Sequence, residues 1–362
     1  MVETTEAKQV CRAASTVVYP ALDFGIKPCG SYTREDFLEV LSRVAFEQEF
    51  ATTAGKTCQL DHGESVDVTS TARNGLAKSL LYHLRNLETD AIDDQFDGVR
   101  DDLFEILRKQ RLMPNCVDVA IDLHEWRFYG DAGTDHVLIT YPDQGTNRTY
   151  CFATICIVAP GTRFTLDVLA LEANGFRTKR EAVRSLLETA HEYVSIRHVY
   201  LDRGFYQVHV VAEFEQFDVD YIIRARPSKG MKARLSASAE TVVDEYLMQR
   251  KRDPTASVAV TVFAVPHRTT EDEHVWFITN LELEPEAAKA YAAAFRRRWG
   301  IETSYRQIGD FLPRTSSRLR RAGRRRGLRG SREQTHARRQ ISSLEQRDHG
   351  TRRRRLRADA PL

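Results

Sequence analysis

The sequence predicts an α/β fold, in which a mixed β-sheet is flanked by helices and preceded by a small helical domain. Three observations lead to this prediction. Amphipathic helical stretches occupy residues 31–110, short apolar runs rich in β-branched residues begin at Cys116, and such runs alternate with helical stretches from Thr178 onward. Strands that alternate with helices are typical of a sheet with crossover connections.

The composition is that of a soluble protein with a sizeable core. The chain has 362 residues, of which 42% are hydrophobic, enough for two domains or one large domain with an insertion. No signal peptide is apparent, and no apolar run has the length of a membrane helix, so we expect a cytoplasmic protein without a membrane partner. The six cysteines show neither a CxxC pair nor zinc-site spacing, which favours buried thiols in a reducing cytosol.

The net charge of +2 hides an uneven distribution. Residues 318–362 carry 16 arginines, no lysine and four acidic residues. The remainder of the chain has 47 acidic residues against 37 basic ones. An acidic surface stays soluble at high salt, which fits a halophilic source.

Residues 1–110 are predicted to form the helical domain. Helical spacing of apolar residues marks Thr33–Phe50, Ala72–Leu87 and Asp97–Gln110, with a turn-rich segment at Thr52–Ser70. Such a domain either binds DNA or packs on its neighbour. No clear helix-turn-helix spacing decides between the two.

Residues 111–317 are predicted to form the sheet domain. Its expected helices are Thr178–Val194 and Gly204–Phe217. Its expected strands are Cys116–Asp122, His136–Tyr141, Tyr150–Val158, Phe164–Leu171, Arg197–Asp202 and Val219–Ala225. A strand meander followed by βαβ crossovers is the order of an RNase H-like core. A β-rich insertion is expected at about residues 227–270, before a further strand at His274–Leu281.

The stretch Tyr291–Pro313 is predicted to be one helix that carries an unusual stripe. At about 100° per residue, five of its residues fall within roughly 80° of arc. They are Phe295, Arg298, Glu302, Arg306 and Gly309. A solvated charged face would explain this stripe. A catalytic carboxylate between arginines is the alternative.

Two further carboxylates favour the catalytic interpretation. Asp122 and Asp202 each end a predicted strand, and strands that end at one sheet edge bring such residues together, with Glu302 reaching over from the helix. Three converging carboxylates repel one another unless cations lie between them, and hard oxygen ligands favour Mg²⁺ or Mn²⁺. Alternatively, Asp202 is a helix N-cap and Asp122 a turn residue.

Other residues compete for these roles. Asp118, Glu125 and Asp131 lie near Asp122 in the sequence, although Asp118 is expected to point along the strand instead of off its end. His124 either supports the site or is simply exposed.

The spacing Phe295-x2-Arg298-x3-Glu302-x6-Gly309 resembles the Tyr-Arg-Glu-Lys signature of the insertion-sequence-4 family of DDE transposases. Further blocks match in the same order: IDLHEWRFYGD around Asp122, VYLDRGFY around Asp202, WFITNL, and RRRWGIETSYRQI around Glu302. The resemblance covers about residues 30–317 and is strongest to the branch found in halophilic archaea.

The resemblance implies an RNase H-like fold with Asp122, Asp202 and Glu302 as the catalytic triad that holds two Mg²⁺ or Mn²⁺ ions. It implies Arg298 as a contact to DNA phosphate, insertion-sequence ends and target DNA as partners, a homodimer in the active DNA complex, and a place on the nucleoid. Phe295 stands where the signature has Tyr, and Gly309 where it has Lys, a loss that Arg306 could partly offset.

We therefore expect a DNA transposase that cleaves and joins strands by two-metal phosphoryl transfer. The alternatives are a DNA-binding remnant without activity and a metal-dependent nuclease of the same fold. Residues 318–362 contain no Phe, Tyr or Trp and no apolar periodicity, so a disordered tail is predicted. Its excess of Arg, Gly and Ala suggests a GC-rich gene read out of frame, and hence a truncated protein.

Overall fold

The structure is a computed structural model that describes residues 14–63, 75–114, 116–130, 137–159, 162–171, 178–235, 240–250, 253–267 and 274–310. The Arg-rich segment 318–362 and Asp131 lie outside these ranges, so the predictions that concern them stay predictions.

The N-terminal part is helical, as predicted. Its helices are α1 (Arg34–Phe46), α2 (Ala51–Asp61), α3 (Leu76–Asn86) and α4 (Thr89–Lys109). Thr33 and Asp36 form a reciprocal capping box that fixes the start of α1. The expectation of turns from Thr52 was wrong for α2, where Ala54 and Cys58, one turn apart, pack into the small core of these helices.

Helix α4 contacts the sheet as well as the N-terminal segment. Phe104 is fully buried and stacks on Tyr193, with ring centroids 4.3 Å apart. Arg100 pairs with Asp167 at 2.9 Å. At the other end, the Asp23 amide donates to Gln95 at 2.9 Å. The helix therefore belongs to the core of the sheet as much as to the helical domain.

One mixed sheet of nine strands dominates the fold. The strands are β1 (Cys116–Arg127), β2 (Val137–Asp143), β3 (Thr146–Ala159), β4 (Thr162–Ala170), β5 (Ser195–Leu201), β6 (Asp220–Arg224), β7 (Val242–Arg250), β8 (Asp253–Pro266) and β9 (His274–Thr279). Their order in the sheet is β2-β3-β1-β5-β6-β9-β8-β7, with β4 also paired to β3. Strands β1, β5 and β6 are parallel, and β3 runs antiparallel to β1. This arrangement confirms the predicted RNase H-like mixed sheet.

Two crossover helices connect the parallel strands, α5 (Lys179–Tyr193) and α6 (Val208–Phe217). Both bury their apolar faces in the larger core, which lies on one side of the sheet. A short helix, α7 (Lys229–Leu235), follows β6.

The segment predicted as an insertion continues the same sheet. Strands β7 and β8 pair antiparallel, and β8 pairs with β9, which pairs with β6. The ambiguous stretch Glu240–Arg250 forms the strand β7.

The other side of the sheet is covered by the final helical segment. It consists of α8 (Pro285–Ala294), a 3₁₀ turn at Phe295–Arg298, and α9 (Trp299–Asp310). The prediction of one helix from Tyr291 was therefore wrong, since the 3₁₀ turn separates two α-helices. Phe295 and Ile301 pack with Tyr200 and Phe277 in a second core on this side.

Among the described residues, no helix combines the length and the apolar character that spanning a membrane requires.

Candidate active site

Asp122 and Asp202 lie side by side where the central parallel strands stop pairing. The last paired residues of β1 and β5 are Ile121 and Leu201, and each is followed directly in the sequence by one of the two aspartates. Parallel neighbours lie about 4.8 Å apart in this direction. The sequence argument for their proximity is thus supported by the register.

The position of Asp122 within its strand differs from the prediction. Strand β1 does not end at Asp122 but continues to Arg127, because β3 pairs with it as far as Thr149. Asp122 is opposite Thr154 in this ladder and is not a turn residue. Pairing of β1 with the parallel strand β5 ends just before Asp122, whereas its antiparallel pairing with β3 continues.

Asp202 directly follows β5, at the start of a 3₁₀ turn over Arg203–Phe205. Its backbone carbonyl accepts from the Phe205 amide at 2.9 Å, but its side chain makes no capping hydrogen bond. The carboxylate is therefore not consumed by the capping role that the sequence left open.

Glu302 is linked to Asp122 through Arg298. The Arg298 guanidinium donates from Nη1 to Asp122 Oδ2 at 3.1 Å and from Nη2 to Glu302 Oε1 at 2.8 Å. Arg298 is only 5% exposed, and its Nε is buried without an acceptor among the described residues. One buried cation thus bridges two of the three predicted ligands.

The Asp122 carboxyl has an unusual protonation equilibrium. Burial raises its pKa to about 6, and the negative charges of Asp202 and Glu302 add to this effect. Arg298 and the Leu123 amide oppose it without cancelling it. A carboxylate with a raised pKa in a group of like charges is a frequent mark of a functional site.

The remaining stripe residues separate into buried and exposed ones. The Phe295 ring is buried and lies 5.6 Å below the Arg298 guanidinium. Arg306 is exposed and has no ion-pair partner among the described side chains. Gly309 lies in α9, close to its end. The interpretation of the whole stripe as a solvated face is incorrect for its first half.

Helix α9 is held on the sheet by Tyr305. Its hydroxyl is hydrogen-bonded to Thr154, the partner of Asp122 in the ladder. Its ring stacks on His124, with centroids 4.4 Å apart. His124 is thus half-buried and supports the helix that carries Glu302.

A second carboxylate, Asp118, lies on the same face of β1. It is 3% exposed and accepts from Arg197 Nε at 2.8 Å, His198 Nδ1 at 3.0 Å and Arg297 Nη1 at 3.0 Å. Burial acts to raise the pKa of Asp118, but the hydrogen bonds from His198 and Arg197 outweigh it, and the pKa falls to about 2. Asp118 is therefore a permanent anion.

A cationic groove adjoins the site between α8, the 3₁₀ turn and strands β8 and β9. It has a volume of about 560 Å³, and Phe277 and Phe295 contribute to its apolar surface. Its basic and aromatic lining residues include Arg224, Lys289, Arg296, Arg298 and Trp299, and none of its described lining residues is acidic. Trp299 is 58% exposed.

Sequence reasoning missed several of these residues. Arg224 is the last residue of β6, one residue beyond the last β5–β6 pair, but an isolated arginine in a strand carries no pattern. Arg297 had a signal in the Arg296–Arg298 run, which does not say which arginine faces inward. Asp118 was considered and set aside, whereas the i, i+4 spacing in a strand places it on the same face as Asp122.

The sequence matches the family model for the transposase DDE domain over residues 117–330. This chain belongs to that family. The matched part begins in β1 and includes all three predicted triad residues of this transposase domain. It also extends past Ser317, where the sequence analysis placed the end of the resemblance.

Two other comparisons add little to the family assignment. The NurA nuclease from Sulfolobus solfataricus is similar in structure with a TM-score of 0.29 and 10% identity, over 56% of this chain and 83% of that chain. A similarity of this size carries no argument about activity. No curated protein matches the sequence.

The chemistry of the carboxylates fits a hard divalent cation, although their arrangement does not yet form a ligand set. A cation would stabilise the ionised form of Asp122, whose pKa is raised first by burial and further by repulsion from Asp202 and Glu302. Within the described ranges, no three His, Cys, Asp or Glu side chains are close enough together to hold one ion. Glu302 is instead turned to Arg298.

Proposed function

We propose that this transposase cleaves DNA at insertion-sequence ends and joins the freed strand to target DNA. Asp122, Asp202 and Glu302 would hold two Mg²⁺ or Mn²⁺ ions. The observation that carries the proposal is the network in which Arg298 joins Asp122 to Glu302, beside Asp202 at the end of the parallel ladder.

The chain's own residues would divide the work. Bound divalent ions would supply activation of the attacking hydroxyl and stabilisation of the leaving oxygen. Asp122 lies in β1, Asp202 directly follows β5, and Glu302 lies in α9, so three different elements would contribute one carboxylate each. Arg298, whose Nε is buried without an acceptor among the described residues, would donate to a phosphate oxygen of the DNA.

The cationic groove supports DNA as the partner. Exposed cations above an apolar floor, with an exposed tryptophan, form a surface to which a nucleic-acid strand binds through phosphates and base stacking. Phe295 contributes to this floor, and Arg306 extends the positive charge along α9. A homodimer on paired DNA ends is part of the proposal.

The test is cleavage and joining of DNA that carries the ends flanking the gene. We expect Mg²⁺-dependent nicking and strand-transfer products from the wild-type protein. Asp122→Asn, Asp202→Asn and Glu302→Gln should each abolish both with little loss of folding. Cutting without joining would indicate a nuclease, and DNA binding without any cutting a remnant. A triad variant that cuts at the normal rate would remove its residue from the site.

The origin and the integrity of this copy are part of the same proposal. The acidic body supports the halophilic archaeal branch of the insertion-sequence-4 family, and activity at molar salt would test it. The Arg-rich tail supports a frameshift after Ser317. Translation of the other two frames beyond that codon should reveal an apolar, aromatic-containing helical segment. If neither frame encodes one, a basic DNA-binding tail is the better explanation.

A further inference from the structure

Two successive arginines of the 3₁₀ turn each bind a carboxylate on β1. Arg297 donates to Asp118 at 3.0 Å, and Arg298 donates to Asp122 at 3.1 Å. Asp118 and Asp122 lie four residues apart on one face of the strand, roughly 13 Å along it. The 3₁₀ turn is therefore attached to β1 at two points, at Asp118 through Arg297 and at Asp122 through Arg298.

The Asp118 attachment extends into the preceding helix. His198, the neighbour of Asp118 in the β1–β5 ladder, donates to the same carboxylate. Its other ring nitrogen is 3.5 Å from the Tyr291 hydroxyl on α8. The rings of His198 and Tyr291 also meet edge to face at 5.3 Å. Asp118 thus gathers contacts from both α8 and the 3₁₀ turn.

None of these groups contacts the carboxylates of Asp122 or Glu302 directly. The Asp118 contacts stop at Arg297, and Arg298 begins the contacts to Asp122 and Glu302. A shift of Arg297 must move Arg298 with it, because the two are adjacent in a short turn. Glu302 follows one turn later on α9 and shifts with them.

We propose that Asp118 is a positioning residue, which holds the 3₁₀ turn on β1 through Arg297 and so sets how Arg298 and Glu302 approach Asp122. This inference rests on the proposed function, since it concerns the alignment of the proposed triad. Asp118 itself touches no reacting atom. Its role requires a carboxylate that stays ionised and buried and has a partner on the turn.

The structure offers a matched pair of variants to test this role. Arg197 and Arg297 both bind Asp118, at 2.8 and 3.0 Å, but only Arg297 belongs to the turn. Both arginine side chains are partly exposed, at 55% and 43%, so their replacement should leave the core intact. Arg297→Gln therefore tests the link itself, and Arg197→Gln is its control.

The first measurement is amide hydrogen exchange of the peptide that covers residues 295–302, in the full chain without metal. Asp118→Asn and Arg297→Gln should each speed exchange about tenfold, as expected for the loss of one charged hydrogen-bonded contact. Arg197→Gln should leave it unchanged. Unchanged exchange in Asp118→Asn, or an equal increase in Arg197→Gln, would overturn the proposal.

The second measurement is Mn²⁺ affinity by calorimetry. We expect Asp118→Asn and Arg297→Gln to weaken binding about tenfold, and the double variant to be no weaker than either single one. Arg197→Gln should stay within about twofold of the wild type. Additive losses in the double variant would contradict action through Arg297. If the wild type binds no Mn²⁺, the proposed function fails, while the exchange result still decides whether Asp118 holds the turn.

Discussion

Asp118 and Asp122 occupy the same face of the same strand, yet the two ends of this short stretch are electrostatically different. Asp118 receives three donors, from Arg197, His198 and Arg297, and its pKa falls to about 2. Removal from water raises the pKa of Asp122 to about 6, with a smaller contribution from the charges of Asp202 and Glu302, and the Arg298 guanidinium that Asp122 shares with Glu302 does not cancel this rise. Asp118 is buried and Asp122 is half-buried, and the donors and charges around each carboxylate differ as well.

Under the proposed function, this difference would separate a carboxylate that holds the fold together from one that binds metal. A buried anion with enough donors has no further need of a cation and stabilises the fold. A buried anion with too few donors gains free energy when a divalent ion arrives. The shortage of donors and positive charge lies at Asp122 and not at Asp118, and Asp122 is also where the proposed function places metal binding.

The largest expected effects come from replacing each of the two aspartates, in separate variants, by the neutral asparagine. Asp122→Asn should eliminate detectable DNA cleavage and leave the free energy of unfolding nearly unchanged. Asp118→Asn should lower the unfolding free energy by about 2 kcal/mol, because a buried anion that accepts three charge-assisted hydrogen bonds is lost. Cleavage assays and urea denaturation measure the two quantities. The comparison breaks if Asp122→Asn destabilises the protein more than Asp118→Asn does.

The next effect is a change in metal affinity with pH. Metal binding requires ionised Asp122, whose pKa of about 6 means that protons displace the metal as the pH falls below that value. Mn²⁺ affinity should be nearly constant from about pH 7 to 8 and fall about tenfold per unit below about pH 5.5. Calorimetry across this range measures it. An ordinary aspartate would keep its affinity down to about pH 4, and that result would refute the raised pKa.

Arg298 allows a test of the shortage of positive charge around Asp122. Arg298→Met should strengthen Mn²⁺ binding in the absence of DNA several-fold, because the guanidinium competes with the metal for Asp122 and Glu302. The same variant should weaken binding to end DNA and reduce the salt slope by about one. Arg296→Met is the control for the Mn²⁺ measurement alone, since Arg296 lies in the same turn and lines the proposed DNA groove but has no carboxylate partner among the described residues. Weaker Mn²⁺ binding in Arg298→Met would mean that Arg298 aligns the ligands instead of competing.

The smallest effect concerns the hydrogen bond that attaches α9 to β3. Tyr305→Phe removes one hydrogen bond to Thr154 and keeps the stack on His124. The unfolding free energy should fall by about 1 kcal/mol, with cleavage within about twofold of the wild type. A loss of cleavage as large as that of Asp118→Asn would show that the helix, and not the 3₁₀ turn, controls the site.

The sequence was informative wherever a periodic pattern coincided with a change of chemistry. The succession of strands and helices along the chain followed from the apolar runs, and the placement of Asp202 directly after β5 followed from a run that ends in an acid. The adjacency of Asp122 and Asp202 followed from the rule for parallel strands, and the register supports it. Periodicity alone did not show that β1 continues past Asp122, because its length is set by pairing with β3, which is distant in sequence.

The details of the site depend on side-chain contacts that no local pattern encodes. Helix propensity predicted one continuous helix, but packing of Phe295 against Tyr200 and Phe277 accompanies a 3₁₀ turn there. The contacts of Asp118 join residues 79 and 179 positions apart. Such contacts become visible only when the sheet brings the segments together.

The shared helix α4 determines where the protein can be divided. The sequence boundary at residue 110 suggests a fragment that starts at residue 111, but this fragment would lack Phe104 and Arg100. The Tyr193 ring and the carboxylate of Asp167 would then face water, and the exposed apolar surface would favour aggregation. A fragment that begins at Glu88 keeps the whole helix and is the better choice for expression and crystallisation.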